Sequence, residues 1–231
     1  MQKDIEYLHL LRIYILIALG IFFLSVVFGY IISLMNPGLS ENMLKEFKET
    51  FGWIINLNNP LAIMLFIFFN NALKSFAIMI LGAVPGMILK KTLEFIGIWN
   101  YILVNYPLKY ILTFVLEVFA IIPILFIAYN GSILGIVVDG VSRQKGTFFV
   151  MASLLPHGII EISMILVCAA IGLRLGKIMM DSYLKGIHTD MRSELFRAIS
   201  FYLKRIAPLL LVAAMIETFV TPVIAIQFLK I

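Results

Sequence analysis

Five apolar runs, at about residues 13–34, 61–89, 108–129, 148–173 and 206–229, each exceed the roughly 20 residues that a helix needs to cross a bilayer core of about 30 Å. Backbone groups in lipid find no water, so a spanning segment must satisfy its hydrogen bonds as a helix or within a closed barrel. None of the runs alternates with a period of two. The chain is therefore predicted to be all-α, a polytopic helical membrane protein with five main transmembrane helices, some kinked or broken, plus interfacial amphipathic helices. Of its 231 residues 62% are hydrophobic and 13% charged, which leaves no room for a sizeable extramembrane domain, so 1–231 reads as a single transmembrane domain. The first run is too long for a signal peptide and has no small-residue cleavage site before Met35 and Asn36, so it reads as a retained anchor. The single cysteine, Cys168, excludes a disulfide framework and a cysteine-based metal cluster.

Orientation follows from the basic residues. With the N-terminus inside, Lys3, Arg12, Lys90, Lys91, Lys109, Arg174, Lys177, Lys185, Arg192, Arg197, Lys204 and Arg205 are cytoplasmic, and Lys45, Lys48, Arg143, Lys145 and Lys230 are outside. That excess predicts an N-in, C-out topology, with Lys74 left inside a span. The formal net charge of +5 flanks the spans and so reads as a topology signal, not a nucleic-acid surface.

The connections differ in kind. Leu39, Met43, Phe47, Phe51 and Ile55 recur every fourth residue among charges, predicting an amphipathic helix on the outer surface with Trp53 near its end. The segment 92–106, with Trp99, Tyr101 and Tyr106, reads as an interfacial or re-entrant helix. The stretch 181–205 mixes both charges with Leu184, Met191, Leu195 and Phe196, as a cytoplasmic helical hairpin or surface helix would. It is the natural docking surface for a soluble partner.

The first run carries no charge and no proline. Each of the other four carries a proline (Pro85, Pro123, Pro156, Pro222) and polar groups at depth: Asn70, Asn71 and Lys74 in the second, Glu117 in the third, His157 and Glu161 in the fourth, Glu217 in the fifth. An ionised group at a helix centre costs about 2.5–3.5 kcal/mol even on insertion scales, so these groups are expected to face one another. Asn70 and Lys74, His157 and Glu161, and Glu217 and Thr221 are each spaced to share one helix face. The fourth run is expected to kink or break at Pro156-His157-Gly158, where proline removes a donor and glycine allows close approach. The pairs Gly82 and Gly86, Gly131 and Gly135, and Gly172 and Gly176 allow tight helix contacts or a dimer face.

Each polar group has a plain structural reading beside the functional one. His157 with Glu161 supplies two ligands on one helix face, too few to specify a metal, and a hydrogen-bonded pair is the favoured reading. The sequence thus assigns no metal, cofactor or catalytic residue. Glu117 and Glu217 read equally as proton carriers or as neutral acids joining helices, while Lys74 reads as the counter-charge for one of them in preference to a snorkelling side chain. There is no zinc-protease motif, nucleophile elbow or phosphate-binding loop. Asp139, Asp181 and Asp190 are expected at the membrane surfaces, which removes an aspartyl intramembrane protease.

The order of these groups, Phe69-Asn70-Asn71 with Gly82 and Gly86, Asn130-Gly131 with Gly135, Pro156-His157-Gly158-x-x-Glu161, and Ile216-Glu217-x-x-x-x-Pro222, resembles the stage II sporulation protein M family over about residues 60–225. The resemblance implies a five-span protein whose common core is Asn70, Asn71, Asn130, His157, Glu161 and Glu217. Lys74 and Glu117 lie outside the motif and rest on membrane energetics alone. In spore formers the namesake belongs to an engulfment complex with peptidoglycan-degrading partners, but similar proteins occur in organisms that never sporulate, so the sporulation role does not transfer. The function expected from the resemblance is a non-enzymatic component of an envelope-organising or membrane-remodelling complex in the cell membrane. Its expected partners are the lipid bilayer, a second copy of the chain, and membrane or cytoplasmic proteins docking on 181–205, with no nucleic acid. The rival is a proton- or ion-coupled transporter or channel using Glu117, His157, Glu161 and Glu217, and a minor alternative is an intramembrane enzyme using His157 and Glu161.

Overall fold

A computed structural model describes residues 2–55, 59–187 and 189–228, with side chains from residue 4 and none at 51 or 53–55. The expectations for Lys230 and residue 229, and for the side chains of Lys3, Phe51, Trp53 and Ile55, fall outside what is described. The fold is helical throughout: α1 Gln2–Met35, α2 Pro37–Ile55, α3 Pro60–Leu81, α4 Val84–Phe95, α5 Trp99–Val104, α6 Tyr106–Lys145, α7 Thr147–Leu184 and α8 Met191–Phe201. From α8 the chain continues through a π-turn Tyr202–Ile206, α9 Ala207–Met215, a second π-turn Ile216–Val220 and α10 Thr221–Gln227. No strand occurs among the described residues. Five helical runs are long and apolar enough to cross a membrane: α1, α3, α6, α7 and the run Met191–Gln227. The protein is a multi-pass helical membrane protein.

α7 is the hub, packed against α1, α3, α6, α8, α9 and α10. Its stretch Cys168-Ala169-Ala170-Ile171-Gly172 is buried without interruption, and small side chains here let three neighbours approach at once. A Cβ on Gly82, just past the end of α3, would collide with the Gly172 carbonyl oxygen, and one on Gly176 would lie 2.8 Å from the Gly82 carbonyl oxygen. The α1–α6 contact is built the same way, with Gly29 against the Ser132 carbonyl, Gly135 against that of Val26, and Gly131 2.8 Å from that of Phe22. Gly86 packs on the Met179 side chain. The glycine pairs of the sequence are thus spent on contacts within the chain. Gly158 is different: the nearest atoms to an added Cβ belong to Leu154 and Ile162 of its own helix, so no neighbouring backbone approaches it.

The first span is more than an anchor. Tyr7, Leu11, Ala18, Phe22, Gly29 and Ser33 form one buried stripe at alternating spacings of four and seven, laid along α6 and α7, while the rest of α1 is largely exposed. The third and fourth spans are longer than their apolar runs. α6 has 40 residues and α7 has 38, about 60 Å each at 1.5 Å per residue, and Gly146 with φ of 86° is the one residue between them. The residues between the two runs are therefore helix, not loop. Asp139 is 2% exposed, and its carboxylate accepts from Ser33 Oγ at 2.6 Å and pairs with Arg143 at 2.7 Å. Polar partners on two helices make that burial tolerable.

The second run splits. α3 ends at Leu81, Gly82 and Ala83 form a turn, and Pro85 opens α4. Segment 92–106 becomes the end of α4, a turn at Gly97 with φ of 75°, and α5, with Trp99 buried edge-on to Tyr183 of α7. Residues 181–205 form the end of α7, a connection and α8. This corner is closed by Arg174 to Glu194 at 2.6 Å and Arg205 to Asp4 at 2.5 Å.

Replacing Gly82 or Gly135 by alanine forces a methyl group into a neighbouring backbone, and is expected to destabilise the protein by about 1–3 kcal/mol. Gly20→Ala, where an added Cβ meets nothing within 4 Å, should leave stability unchanged or slightly raised. Thermal unfolding of the three variants in one detergent checks the contrast.

Candidate functional site

α7 and the fifth span run antiparallel, and each presents a polar pair one helical turn apart, His157 and Glu161 on one, Glu217 and Thr221 on the other. The pairs interlock. His157 Nδ1 lies 3.1 Å from Thr221 Oγ1, and His157 Nε2 lies 4.0 Å from Glu217 Oε2. One ligating atom from each of His157, Glu161 and Glu217 falls within 4.8 Å of the other two. His157 and Thr221 are 8% and 7% exposed, whereas the Glu217 side chain retains 33%, so the cluster is sealed on one side and open on the other.

The backbone of the fifth span explains how Glu217 reaches this position. Proline lacks an N–H, and its ring collides with the carbonyl four residues earlier. Pro208 and Pro222 each follow a π-turn by two residues, and in each turn the ladder widens: the N–H of Ala207 donates to Tyr202 O, and that of Thr221 to Ile216 O. The extra residue turns the first residues of the bulge toward the neighbouring helices, and such bulges often mark functional positions. Tyr202, opening the first, donates to Ala72 O of α3 at 2.7 Å and contacts Ser75 Oγ at 3.1 Å. Glu217, in the second, faces His157.

The expected break in the fourth span is absent, because α7 stays helical through Pro156, as α6 does through Pro123. Each proline deletes a single helical hydrogen bond, and α7 is held on several sides by packing. The widened turns lie in the fifth span, the second of them beside Pro222, whose own ring is exposed.

The remaining polar residues divide. On α3, Asn70 donates to Asn71 across 3.4 Å, and Lys74 is exposed but near enough to act on Glu161 through space. α3 also touches the second π-turn, and of these three Lys74 is the one near a carboxylate of the cluster. Glu117 does not join them. It sits on the exposed side of α6 with no hydrogen bond or ion pair among the described residues. Asn130 turns back to its own helix, donating to Phe126 O at 2.7 Å. The sequence reading missed Ser75 and Tyr202; the proline following each π-turn was the available signal.

Depth can be read along the helices. Glu161 is about 13 residues, roughly 20 Å, from Arg174, and Glu217 about 12 residues, roughly 18 Å, from Arg205. Both carboxyls thus lie near the middle of their spans, where water is scarce and an ionised group needs a counter-charge, a proton or a bound cation. A histidine and two carboxylates converging at that depth can hold a proton or a cation.

Comparison with curated proteins finds no match, and comparison with solved structures finds none either. The family model of stage II sporulation protein M matches residues 90–222, which contain the α6–α7 hairpin, His157, Glu161, Glu217 and Pro222. This chain therefore belongs to the stage II sporulation protein M family.

Proposed function

We propose that the protein is a non-enzymatic component of an envelope-organising assembly in the cell membrane, oriented N-in and C-out, and that a second transmembrane protein or a second copy covers the face formed by α3 and the second π-turn. The observation carrying this reading is Lys74. It is exposed on α3 about seven residues, roughly 10 Å, from the helix end, beside the open side of the Glu161 and Glu217 pair. An ammonium facing lipid costs up to about 2.5–3.5 kcal/mol at a helix centre, part of which snorkelling and the nearby Glu161 recover. A covering helix removes the cost and offers a partner for the charge. Glu117, exposed on α6, presents the same difficulty on a second face.

The corner at Arg174 supports docking of a soluble partner. A cleft of about 550 Å³ is lined there by Asp4, Glu6, Tyr7, Ser193, Arg197 and Lys204, within the charged stretch 181–205 and the N-terminal turn. Its mixed charges suit a polar protein surface and not a polyanion.

The buried cluster favours a second reading, passage of a proton or ion through the bundle, because His157, Glu161 and Glu217 form a hydrophilic step at mid-depth. Flux in sealed proteoliposomes separates the readings. The assembly reading predicts no flux above that of Glu161→Gln, and Glu161-dependent flux from equally folded protein would establish transport.

Assembly itself is tested with single cysteines in a Cys168→Ser background. A cysteine at Leu73, 67% exposed beside Lys74, is expected to crosslink in native membranes to a partner or a second copy, and one at Leu24, 73% exposed on α1, is not. Adding Lys74→Met should lower the crosslinked fraction severalfold. Equal crosslinking at both positions, or none, would remove the assembly reading.

A further inference from the structure

We propose that His157 Nε2 and one carboxylate oxygen each from Glu161 and Glu217 form an intramembrane site for a borderline divalent transition-metal ion such as Zn²⁺, with Thr221 as the positioning residue that aims the imidazole. The inference goes beyond the assembly reading and does not depend on it.

Three atoms mutually no more than 4.8 Å apart all lie within about 2.8 Å of a common point. Imidazole nitrogen and carboxylate oxygen bind Zn²⁺ at about 2.0–2.2 Å, so each ligand has to close by only about 0.7 Å. The two glutamates can supply that movement through side-chain torsions. The histidine need not move far, because the Thr221 hydroxyl already fixes its ring at 3.1 Å. With Nδ1 donating to Thr221 Oγ1, the Nε2 lone pair points toward the carboxylates, the arrangement by which metal-ligating histidines are oriented by a hydrogen bond on their other nitrogen.

Charge points the same way. Two carboxylates converge at mid-depth, and the nearest cation, Lys74, is exposed and carries a single charge. A divalent ion matches the pair and is itself matched by them. Nitrogen and oxygen donors without sulfur select Zn²⁺, Mn²⁺, Fe²⁺ or Co²⁺ over soft ions, and the imidazole disfavours Mg²⁺ and Ca²⁺. Three protein ligands leave a fourth position, on the side where Glu217 remains partly exposed, for water or for a group from a covering partner.

The test uses the full-length protein in lipid nanodiscs, stripped with a chelator and titrated with Co²⁺, whose d–d absorption reports four- or five-coordinate binding, with Zn²⁺ as competitor. The expected result is one Co²⁺ per chain, displaced by Zn²⁺. Glu217→Gln, which preserves side-chain shape, should weaken binding by at least about 100-fold, and Thr221→Val by about 10-fold with the spectrum shifted but retained. His9→Ala, on the exposed side of α1, should change neither. Glu161→Gln serves as a second isosteric variant should Glu217→Gln fail to fold. No Co²⁺ band in the wild type, or a band unchanged in both glutamine variants, would overturn the site and leave the three groups holding a proton among themselves.

Discussion

The contact between α7 and the fifth span at mid-depth, where His157 meets Thr221 and Glu217, constrains most of what surrounds it. Polar groups in hydrocarbon are tolerated only when they find one another, and these do so because two antiparallel helices are held in one register. A slip of one residue on either helix would rotate a carboxylate into lipid. The register is fixed by the hydrogen bond from Tyr202 to Ala72 of α3 and by the corner where Arg174 meets Glu194 and Arg205 meets Asp4. α7 meanwhile is locked by glycine contacts against α3, and α1 by the same device against α6. The glycine-packed part of the bundle thus presents one half of the cluster, and the π-turned fifth span presents the other.

That division of labour follows from proline. Pro123 and Pro156 sit in long helices packed on several sides, where one lost hydrogen bond does not disturb the ladder. Pro208 and Pro222 sit in a span with fewer neighbours, and there the preceding turn widens to a π-turn. The widened turns carry Tyr202 and Glu217, the two side chains of this span that reach across to α3 and α7. The same residue type therefore stands in an unbroken α-helix in one span and beside a widened turn in another.

Much of this was legible in the sequence. Run length gave the five spans and the all-helical class, and the spacing of His157 with Glu161 and of Glu217 with Thr221 gave two faces that do meet. The glycine pairs marked backbone contacts, although their partners lie within the chain. What hydropathy could not supply was rotation about each helix axis. Lys74 and Glu117 lie at similar apparent depth to His157, yet α3 and α6 turn them outward, because Ser75, Ile78 and Met79 on the one and Leu116 on the other occupy the inward face. Nor could it show that Asp139 is buried between helices, since its partners Ser33 and Arg143 are set by the packing of α1 on α6. Gly158, singled out for close approach, meets no neighbouring backbone and instead lines a groove with residues of α1 and α6.

The pairing of α7 with the second π-turn is the claim on which the cluster rests, and paired cysteines in a Cys168→Ser chain measure it directly. Cysteines at 157 and 221 should be joined in high yield by a short bifunctional reagent in intact membranes, while 157 with 223, where Val223 is 62% exposed, should not. Equal yields for the two pairs, or a preference for 157 with 223, would contradict the register and with it the convergence of His157, Glu161 and Glu217.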